Sequence, residues 1–281
     1  MAVSAQSWNV ALVIWRESVE ALLIIGILNA WLGQQPRADE VRGRIYLWSG
    51  VGAGLVAAVT FGALLIGFGE ALSDEVLQAY QTAAVLIAAA LIVQMVVWMR
   101  THGRSLKREL ESSLQRAADR ANWWGVFVLA LIAVAREGSE TVVFLYGTLA
   151  WARSDQLITL IPVALFGFAL AIVTYYVLQL GSRVVSWRVF FRLTEIMLLF
   201  LAASLLVTGI DNLIGLGVLP PLSGRLWDSS AILSDSGGAG GIIGALTGYR
   251  ARPDLLHVLV YGLYWGLMWL ILVWPRQGKA A

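Results

Sequence analysis

Cysteine is absent from this sequence of 281 residues, and histidine occurs only twice, as His102 and His257. Without cysteine the chain forms no disulfide and offers no thiolate to a metal ion, a haem group or a covalent catalytic step. Any metal site must therefore be built mainly from oxygen ligands. The sequence also lacks a Walker phosphate-binding loop, the His-Glu-x-x-His motif of zinc proteases and an embedded Ser-His pair. We therefore expect a protein that is not an enzyme and that ATP does not drive directly.

Charged residues are scarce as well. They make up 14% of the chain, whereas hydrophobic residues make up 59%, and the mean hydropathy is +0.75. Since about a quarter of the residues of a soluble domain are charged, lipid is the predicted solvent for most of this chain. The net charge is +2, but the cations lie in short loops between apolar runs. Nucleic acid is therefore not an expected partner. From the hydropathy we expect a multi-pass protein of the plasma membrane or bacterial inner membrane.

Apolar runs of about 20 residues, the length that a membrane-spanning helix requires, occur seven times. The predicted spans are Trp8–Leu32, Ile45–Phe68, Val76–Met99, Trp123–Trp151, Leu157–Leu180, Val189–Leu216 and Leu255–Trp274. These runs do not alternate between polar and apolar residues, as the strands of a membrane β-barrel would. The predicted fold class is therefore an all-α polytopic membrane protein with about seven transmembrane helices.

Lysine and arginine are concentrated in every second loop, which indicates the orientation, because short cytoplasmic loops hold the excess of these residues. The N-terminus is predicted outside and the C-terminus inside. The predicted domains are a three-helix unit (1–99), a cytoplasmic basic connector (100–122), a second three-helix unit (123–216), an extracytoplasmic loop (217–254), and a seventh helix with a cytoplasmic tail (255–281). Within the loop, Ile242–Leu246 is predicted as a short helix.

An internal repeat relates the two three-helix units. A shift of 120 residues aligns Arg16–Glu20 with Arg136–Glu140 and Ala30–Trp31 with Ala150–Trp151. Because each unit has an odd number of helices, the second copy enters the membrane from the opposite side. The repeat therefore predicts the inverted topology that is common in transporters, with the seventh helix outside the symmetry.

Both repeat units carry the motif Arg-Glu-x-x-Glu in the middle of their first helix. Residues three or four positions apart share one face of an α-helix, so the two glutamates of each motif lie together and the arginine leans towards the second one. Charges at this depth in a membrane require pairing or water. The predicted site residues are the metal ligands Glu17, Glu20, Glu137 and Glu140, supported by Arg16 and Arg136.

The charges of the two motifs do not balance, because two arginines cannot neutralise four glutamates. A bound cation would offset the remaining charge of about minus two, and facing carboxylates suit a hard ion. These considerations leave Mg²⁺, Ca²⁺ and Fe³⁺ open, as well as protonation of a glutamate coupled to transport. A further alternative is that the motifs serve only as clamps between helices.

Several other segments accompany the motifs: Ile24-Ile25-Gly26-Ile27-Leu28, Trp98-Met99-Arg100, Leu106-Lys107, Glu109-Leu110, Trp227-Asp228-Ser229-Ser230 and Gly248-Tyr249-Arg250-Ala251. Together with two motifs in register, they resemble the oxidase-dependent iron permeases, a family that includes the fungal high-affinity iron permease and the bacterial Efe-type permease. The resemblance covers nearly the whole chain.

The resemblance implies a high-affinity iron permease that moves Fe³⁺, or Fe²⁺ after a partner has oxidised it, with the motif glutamates as ligands. It also implies an extracytoplasmic partner that oxidises or delivers iron, and it makes iron the transported substrate, with no tightly bound cofactor. Two alternatives remain: a permease for another metal cation such as lead or manganese, and a membrane protein without transport activity that uses the motifs as helix clamps.

One stretch departs from the family pattern. Near the end of the sixth helix many relatives carry a His-Glu pair and a further glutamate, whereas this chain has Gly209–Gly215 with Asp211 as its acidic residue. Asp211 and Glu70 are candidates for admitting the ion at the outer mouth, and Glu195 is a candidate for releasing it. The simpler interpretation of Glu195 is an ion pair with Arg192. Neither His102 nor His257 is expected to be a ligand.

Overall fold

The computed structural model describes residues 5–102, 123–149, 154–180, 187–220, 222–235 and 238–273. These residues contain eight helices and no strand. The helices are α1 (Ala5–Leu32), α2 (Arg37–Glu70), α3 (Asp74–His102), α4 (Trp124–Leu149), α5 (Ser154–Leu180), α6 (Trp187–Gly215), α7 (Gly238–Thr247) and α8 (Leu255–Val273). The all-helical fold class is confirmed, and each of the seven predicted spans corresponds to one long helix.

The largest difference from the predicted bounds is at the start of α2, which begins at Arg37 instead of Ile45. Its first turn is polar and so does not belong to the apolar run. Asp39 and Glu40 lie in that turn, where carboxylates interact favourably with the helix dipole. The carbonyl of Pro36 accepts the backbone N–H groups of both residues. The polar turn is therefore stable as helix, although hydropathy gives no sign of it.

Five helices, α2, α3, α5, α6 and α8, are long and apolar enough to cross a membrane by length and composition. The other two long helices, α1 and α4, carry three charged motif residues each. Large apolar side chains are exposed along the outer faces of the bundle, among them Val56, Val59, Leu64, Leu165, Leu263 and Trp269. Soluble monomers rarely expose contiguous apolar surface of this extent. The chain is a polytopic membrane protein, and the exact span count and the orientation stay predictions.

The two motif helices lie at the centre of the bundle. They pack against each other, and each packs against the second helix of the opposite unit: α1 against α5, and α4 against α2. The third helices, α3 and α6, also pack against each other. In each unit, the first helix thus packs against the second helix of the other unit, as two units related by a two-fold axis would. The inverted repeat itself stays a prediction.

The loop after α6 begins with a Schellman motif. Gly217 has a φ of 71°, its N–H donates to the carbonyl of Ile214, and the N–H of Val218 donates to the carbonyl of Leu213. Glycine adopts this left-handed conformation without strain, so it ends the helix cleanly. Further along the loop, α7 confirms the predicted short helix and extends it in both directions. The predicted basic connector, apart from the end of α3, lies outside the described residues.

Glycines allow close contact between α2 and α4. A Cβ atom added at Gly50 would lie 2.5 Å from the carbonyl oxygen of Phe127, and one added at Gly54 would lie 2.8 Å from the Cβ of Val134. Each distance is shorter than two such atoms can approach. Small residues at these positions therefore bring the two backbones together, as is common between membrane helices. The contact fixes the position of α4 and with it the second motif.

We expect the substitution Gly50→Ala to lower the free energy of unfolding by about 1–3 kcal/mol, because the new methyl group must push α4 away. Gly52→Ala is the matched control, since a Cβ at Gly52 meets nothing within 4 Å. Both substitutions change helix propensity equally, so their difference measures the contact. The measurement is the thermal unfolding midpoint of the purified proteins in detergent. Equal midpoints for the two variants would contradict this account of the α2–α4 contact.

Candidate metal site

The two motifs meet near the middle of the bundle because each lies about halfway along its helix. Arg16–Glu20 is at the centre of α1, and Arg136–Glu140 is at the centre of α4. The three- and four-residue spacings place the charged side chains of each motif on one face of its helix. Since α1 and α4 pack against each other, the two charged faces come together inside the protein.

Three of the four predicted ligands form a cluster. Glu17, Glu20 and Glu137 each place one carboxylate oxygen within 4.8 Å of the others. Glu17 is 2% exposed and Glu137 is 6% exposed. The fourth predicted ligand, Glu140, is not in this group, and it accepts a 2.9 Å hydrogen bond from Nε of Arg136. The structure therefore brings three predicted ligands together and leaves the fourth beside them.

Arg16 is held inside the cluster and is 1% exposed. Its Nη1 donates to Oε1 of Glu17 at 2.6 Å and lies 3.2 Å from the sulfur of Met95 on α3. Its Nη2 lies 2.5 Å from Oε1 of Glu20, where it forms an ion pair without hydrogen-bond geometry. Arg16 thus offsets part of the charge of both glutamates of its own motif.

Arg136 has a different environment, although it occupies the same place in its motif. It is 41% exposed and pairs with Glu140. Its guanidinium carbon lies 4.6 Å from the ring centre of Trp98 on α3, which is a cation–π contact. The two arginines are therefore equivalent in sequence but not in burial or in partners.

Several carboxylate oxygens of the site have no hydrogen-bond partner among the described residues. These buried atoms are Oε2 of Glu17, Oε2 of Glu137 and Oε2 of Glu140, whereas Oε1 of Glu20, which also lacks hydrogen-bond geometry, is ion-paired with Arg16. Buried polar atoms in proteins nearly always have a partner, so a group of three without one requires an explanation. Carboxylate oxygens only accept hydrogen bonds when ionised, and they are the ligands that hard metal cations prefer. The free oxygens and the residual negative charge both suit a bound cation.

Apolar side chains surround the site on the side towards the start of α1. Val13, three residues before Arg16, and Phe144, four residues after Glu140, are fully buried in one cluster with Ile92 and Met95 of α3. Such packing excludes water and keeps the local dielectric low, which strengthens interactions between charges. A cation at the glutamates would therefore be attracted more strongly than at a solvated carboxylate cluster.

Asp211 lies near the end of α6 in a network with the loop and α8. Its Oδ2 accepts hydrogen bonds from Nη2 of Arg250 at 2.6 Å and from Nε at 3.1 Å. Its Oδ1 lies 2.7 Å from Nε2 of His257, and Nδ1 of His257 lies 2.6 Å from Oδ1 of Asp254. An imidazole donates to two carboxylates when both nitrogens carry a proton. Both oxygens of Asp211 are thus occupied, and its role in admitting the ion stays a prediction.

This network could not be read from the sequence, since Asp211, Arg250 and His257 are far apart in the chain. The backbone N–H of His257 donates to Oδ1 of Asp254, so Asp254 also caps the start of α8. In the same loop, hydrogen bonds from Ser230, together with Arg252, lower the pKa of the exposed Asp228 carboxyl to about 2. Ion pairs therefore link the loop to itself and to two helices.

The remaining candidates lie away from the glutamate cluster. Glu70 is exposed at the end of α2. Glu195 is buried, but the predicted pair with Arg192 is wrong: Glu195 accepts a hydrogen bond from Nε of Arg100 on α3, and Arg192 is exposed. Arg100 also donates to the backbone carbonyl of Leu272 on α8. Arg100 therefore links α3 to α6 and α8, and the role of Glu195 in releasing the ion stays a prediction.

Comparison with known proteins gives a match over almost the whole chain. A model of the iron permease FTR1 family matches residues 7–277. The ferrous iron permease EfeU of Escherichia coli O6:H1 (strain CFT073) is 30% identical over an alignment of 281 positions, gaps included, that covers 96% of this chain and 97% of that protein. The protein of the same name from Shigella sonnei (strain Ss046) is 29% identical over an alignment of 262 positions that covers 90% of each chain. The one from Yersinia pestis is 26% identical over 255 positions, which cover 90% of this chain and 88% of that protein. No solved structure matches the chain.

Proposed function

This chain belongs to the iron permease FTR1 family, and we propose that it moves iron across the membrane through a site formed by the four glutamates of its two Arg-Glu-x-x-Glu motifs. Glu17, Glu20 and Glu137 are the central ligands of this site. Glu140, which is held beside them by Arg136, is the fourth. Arg16 and Arg136 offset part of the negative charge, and some carboxylate oxygens remain without an arginine partner.

One observation carries the proposal: glutamates from two different helices converge within 4.8 Å in the middle of a membrane protein, with buried oxygens that no described protein group satisfies. Buried charges are costly in a membrane, and pairing ordinarily compensates for them. If the motifs were only clamps between helices, the arginines would be expected to pair with all of these oxygens. A transported cation supplies the missing partner and leaves again.

The ion that occupies the site is Fe³⁺ in this proposal, or Fe²⁺ that a partner oxidises. The relatives in Escherichia coli, Shigella sonnei and Yersinia pestis are named ferrous iron permeases, and in this proposal Fe²⁺ is the form supplied to the cell. An extracytoplasmic partner would remove one electron from each Fe²⁺ ion or deliver iron to the mouth. Ligand chemistry supports the hard trivalent ion, because the cluster offers carboxylate oxygens and neither sulfur nor imidazole.

The test is uptake of radioactive iron by cells that lack their own iron uptake systems and express this chain, normalised to its abundance in the membrane. We expect uptake well above that of cells without the chain. Excess manganese or lead should compete weakly, because carboxylate ligands in this number favour the more highly charged ion. Iron is supplied in parallel as Fe³⁺ and, with a reductant, as Fe²⁺.

Each result bears on a different part of the proposal. No uptake from either form of iron would overturn the function. Uptake of Fe²⁺ that persists when oxidation is blocked, without uptake of Fe³⁺, would overturn the ferric site and keep the permease. Strong competition by manganese or lead would point to a permease for another metal on the same carboxylates.

A further inference from the structure

One turn of α3 contacts both motif arginines. Met95 and Trp98 are three positions apart and share a face of the helix. The sulfur of Met95 lies 3.2 Å from Nη1 of Arg16, and the ring of Trp98 lies 4.6 Å from the guanidinium carbon of Arg136. A helix that carries neither motif therefore contacts the guanidinium groups of both motif arginines.

The two contacts have different consequences because the side chain of Arg136 has more room to change its conformation than that of Arg16. Arg16 is enclosed and paired with both glutamates of its own motif, so it has little room to move. Arg136 is partly exposed, and Glu140 is its ion-pair partner in the described part of the chain. An arginine side chain with several rotatable bonds and one such partner can reorganise unless something else restrains it. The face of Trp98 lies against this guanidinium.

Arg136 precedes Glu137 in the chain and donates to Oε1 of Glu140. Oε2 of Glu137 and Oε2 of Glu140 are buried and have no hydrogen-bond partner among the described residues. A guanidinium is permanently positive and binds carboxylates through two parallel hydrogen bonds. If Arg136 turned onto these oxygens, it would occupy ligands that a transported cation needs. The protein's own cation would then compete with its substrate.

We propose that Trp98 is a positioning residue that stacks on Arg136 and holds it aside, so that the free oxygens of Glu137 and Glu140 remain open to the transported cation. The inference rests on the proposed function for the identity of that cation. The stacking itself is a property of the protein and is testable without transport. In this arrangement Arg136 still lowers the repulsion among the glutamates, but it does not fill the site.

The uptake test compares Trp98→Leu with Trp98→Phe. Leucine removes the aromatic face, so the KM for iron should rise about three- to tenfold, with the maximal rate per transporter nearly unchanged. Phenylalanine keeps an aromatic face, so its KM should stay within about twofold of wild type. Trp48→Leu is the control for loss of an exposed indole, since Trp48 lies on the outer face of α2. A wild-type KM in Trp98→Leu would overturn the proposal.

A second comparison asks whether Trp98 acts through Arg136. In an Arg136→Gln background, Trp98→Leu should cause no further rise in KM, because no guanidinium remains to be held aside. A rise as large as in the wild-type background would mean that Trp98 supports the site by packing alone, and it would overturn the proposal.

Fluorine NMR separates this inference from the proposed function. In full-length protein labelled with 5-fluorotryptophan and purified in detergent, the resonance that disappears in Trp98→Leu belongs to Trp98. That resonance should shift in Arg136→Gln, because the charge over the ring is lost. An unchanged resonance would overturn the stacking whether or not the chain transports iron. A shifted resonance in a protein that moves no iron would leave the stacking intact and refute the proposed function.

Discussion

Replacing Glu137 with glutamine is expected to reduce iron uptake per transporter by about a hundredfold or more, without reducing the amount of folded protein. Groups that merely orient the ligands of metal sites are worth about 10- to 100-fold in affinity or activity, so a direct ligand should be worth at least the upper value. Glu137 is buried, and it has no ion pair in the described part of the chain. Its charge is therefore expected to contribute to binding the cation more than to the stability of the fold.

Stability should change little, or improve, for the same reason. The carboxylate of Glu137 shares its surroundings with those of Glu17 and Glu20, and an uncompensated buried charge opposes folding. Glutamine keeps the shape of glutamate, and its amide can donate to the free oxygens nearby. The substitution thus removes a repulsion without breaking an ion pair.

This combination of results distinguishes an ion site from a helix clamp. Uptake is measured with radioactive iron, and folded protein is measured by immunoblot of membranes and by size exclusion in detergent. The control is Glu40→Gln, which removes a surface ion pair with Arg44 on α2 and should leave uptake within about twofold of wild type. Lower abundance of Glu137→Gln with normal uptake per molecule would indicate a clamp.

The helices could be predicted well because the signal for a membrane span is local. Twenty apolar residues in a row require a helix wherever they occur, since lipid offers no partner to the backbone. Hydropathy fails where a helix continues beyond the apolar run, as at the polar first turn of α2. The two helices that carry the site are the least typical spans in composition, because each has three charged motif residues in its middle.

The candidate site could be predicted in part for a similar reason. The spacing of each motif places its charges on one face, so a cluster at the contact between α1 and α4 follows from helix geometry. The sequence does not reveal which glutamates converge, because that depends on how the two helices are rotated against each other. Glu140 stands apart from the other three as a result.

Contacts between residues that are far apart in the chain cannot be predicted from one sequence. Proximity on one helix turn predicts that Glu195 pairs with Arg192, whereas the side chain that reaches Glu195 is Arg100. The stack of Trp98 on Arg136 joins α3 to α4 and leaves no periodic pattern. Trp98 lies near a helix end, where aromatic residues are common for reasons of membrane interface alone. Only the packing of the helices distinguishes that general role from a specific one.

The largest effect on stability is expected from Arg16→Met. Arg16 is 1% exposed and lies within ion-pair distance of both Glu17 and Glu20. Removing one partner of a buried ion pair leaves the other charge without compensation, which costs about 3–5 kcal/mol. A loss of this size is a large part of the stability of an ordinary domain, so little folded protein should remain.

The matched comparison is Arg136→Met, because the two arginines hold equivalent places in the repeat. Arg136 is 41% exposed and has one ion-pair partner among the described residues, so its loss should cost about 1 kcal/mol. Arg16→Lys should be intermediate, since lysine keeps the charge but cannot reach two carboxylates in the planar geometry of a guanidinium. The measurement is the unfolding midpoint in detergent together with the yield of monodisperse protein.

A rescue experiment tests whether the cost of Arg16→Met arises from the glutamates. Adding Glu17→Gln to Arg16→Met removes one of the two charges left unpaired, so the double variant should be more stable than Arg16→Met alone. Loss of packing volume would instead be the same in both proteins, because glutamine and glutamate are equal in size. If the double variant is no more stable, or if Arg16→Met and Arg136→Met unfold at the same temperature, charge compensation by Arg16 is not what holds the centre of this bundle together.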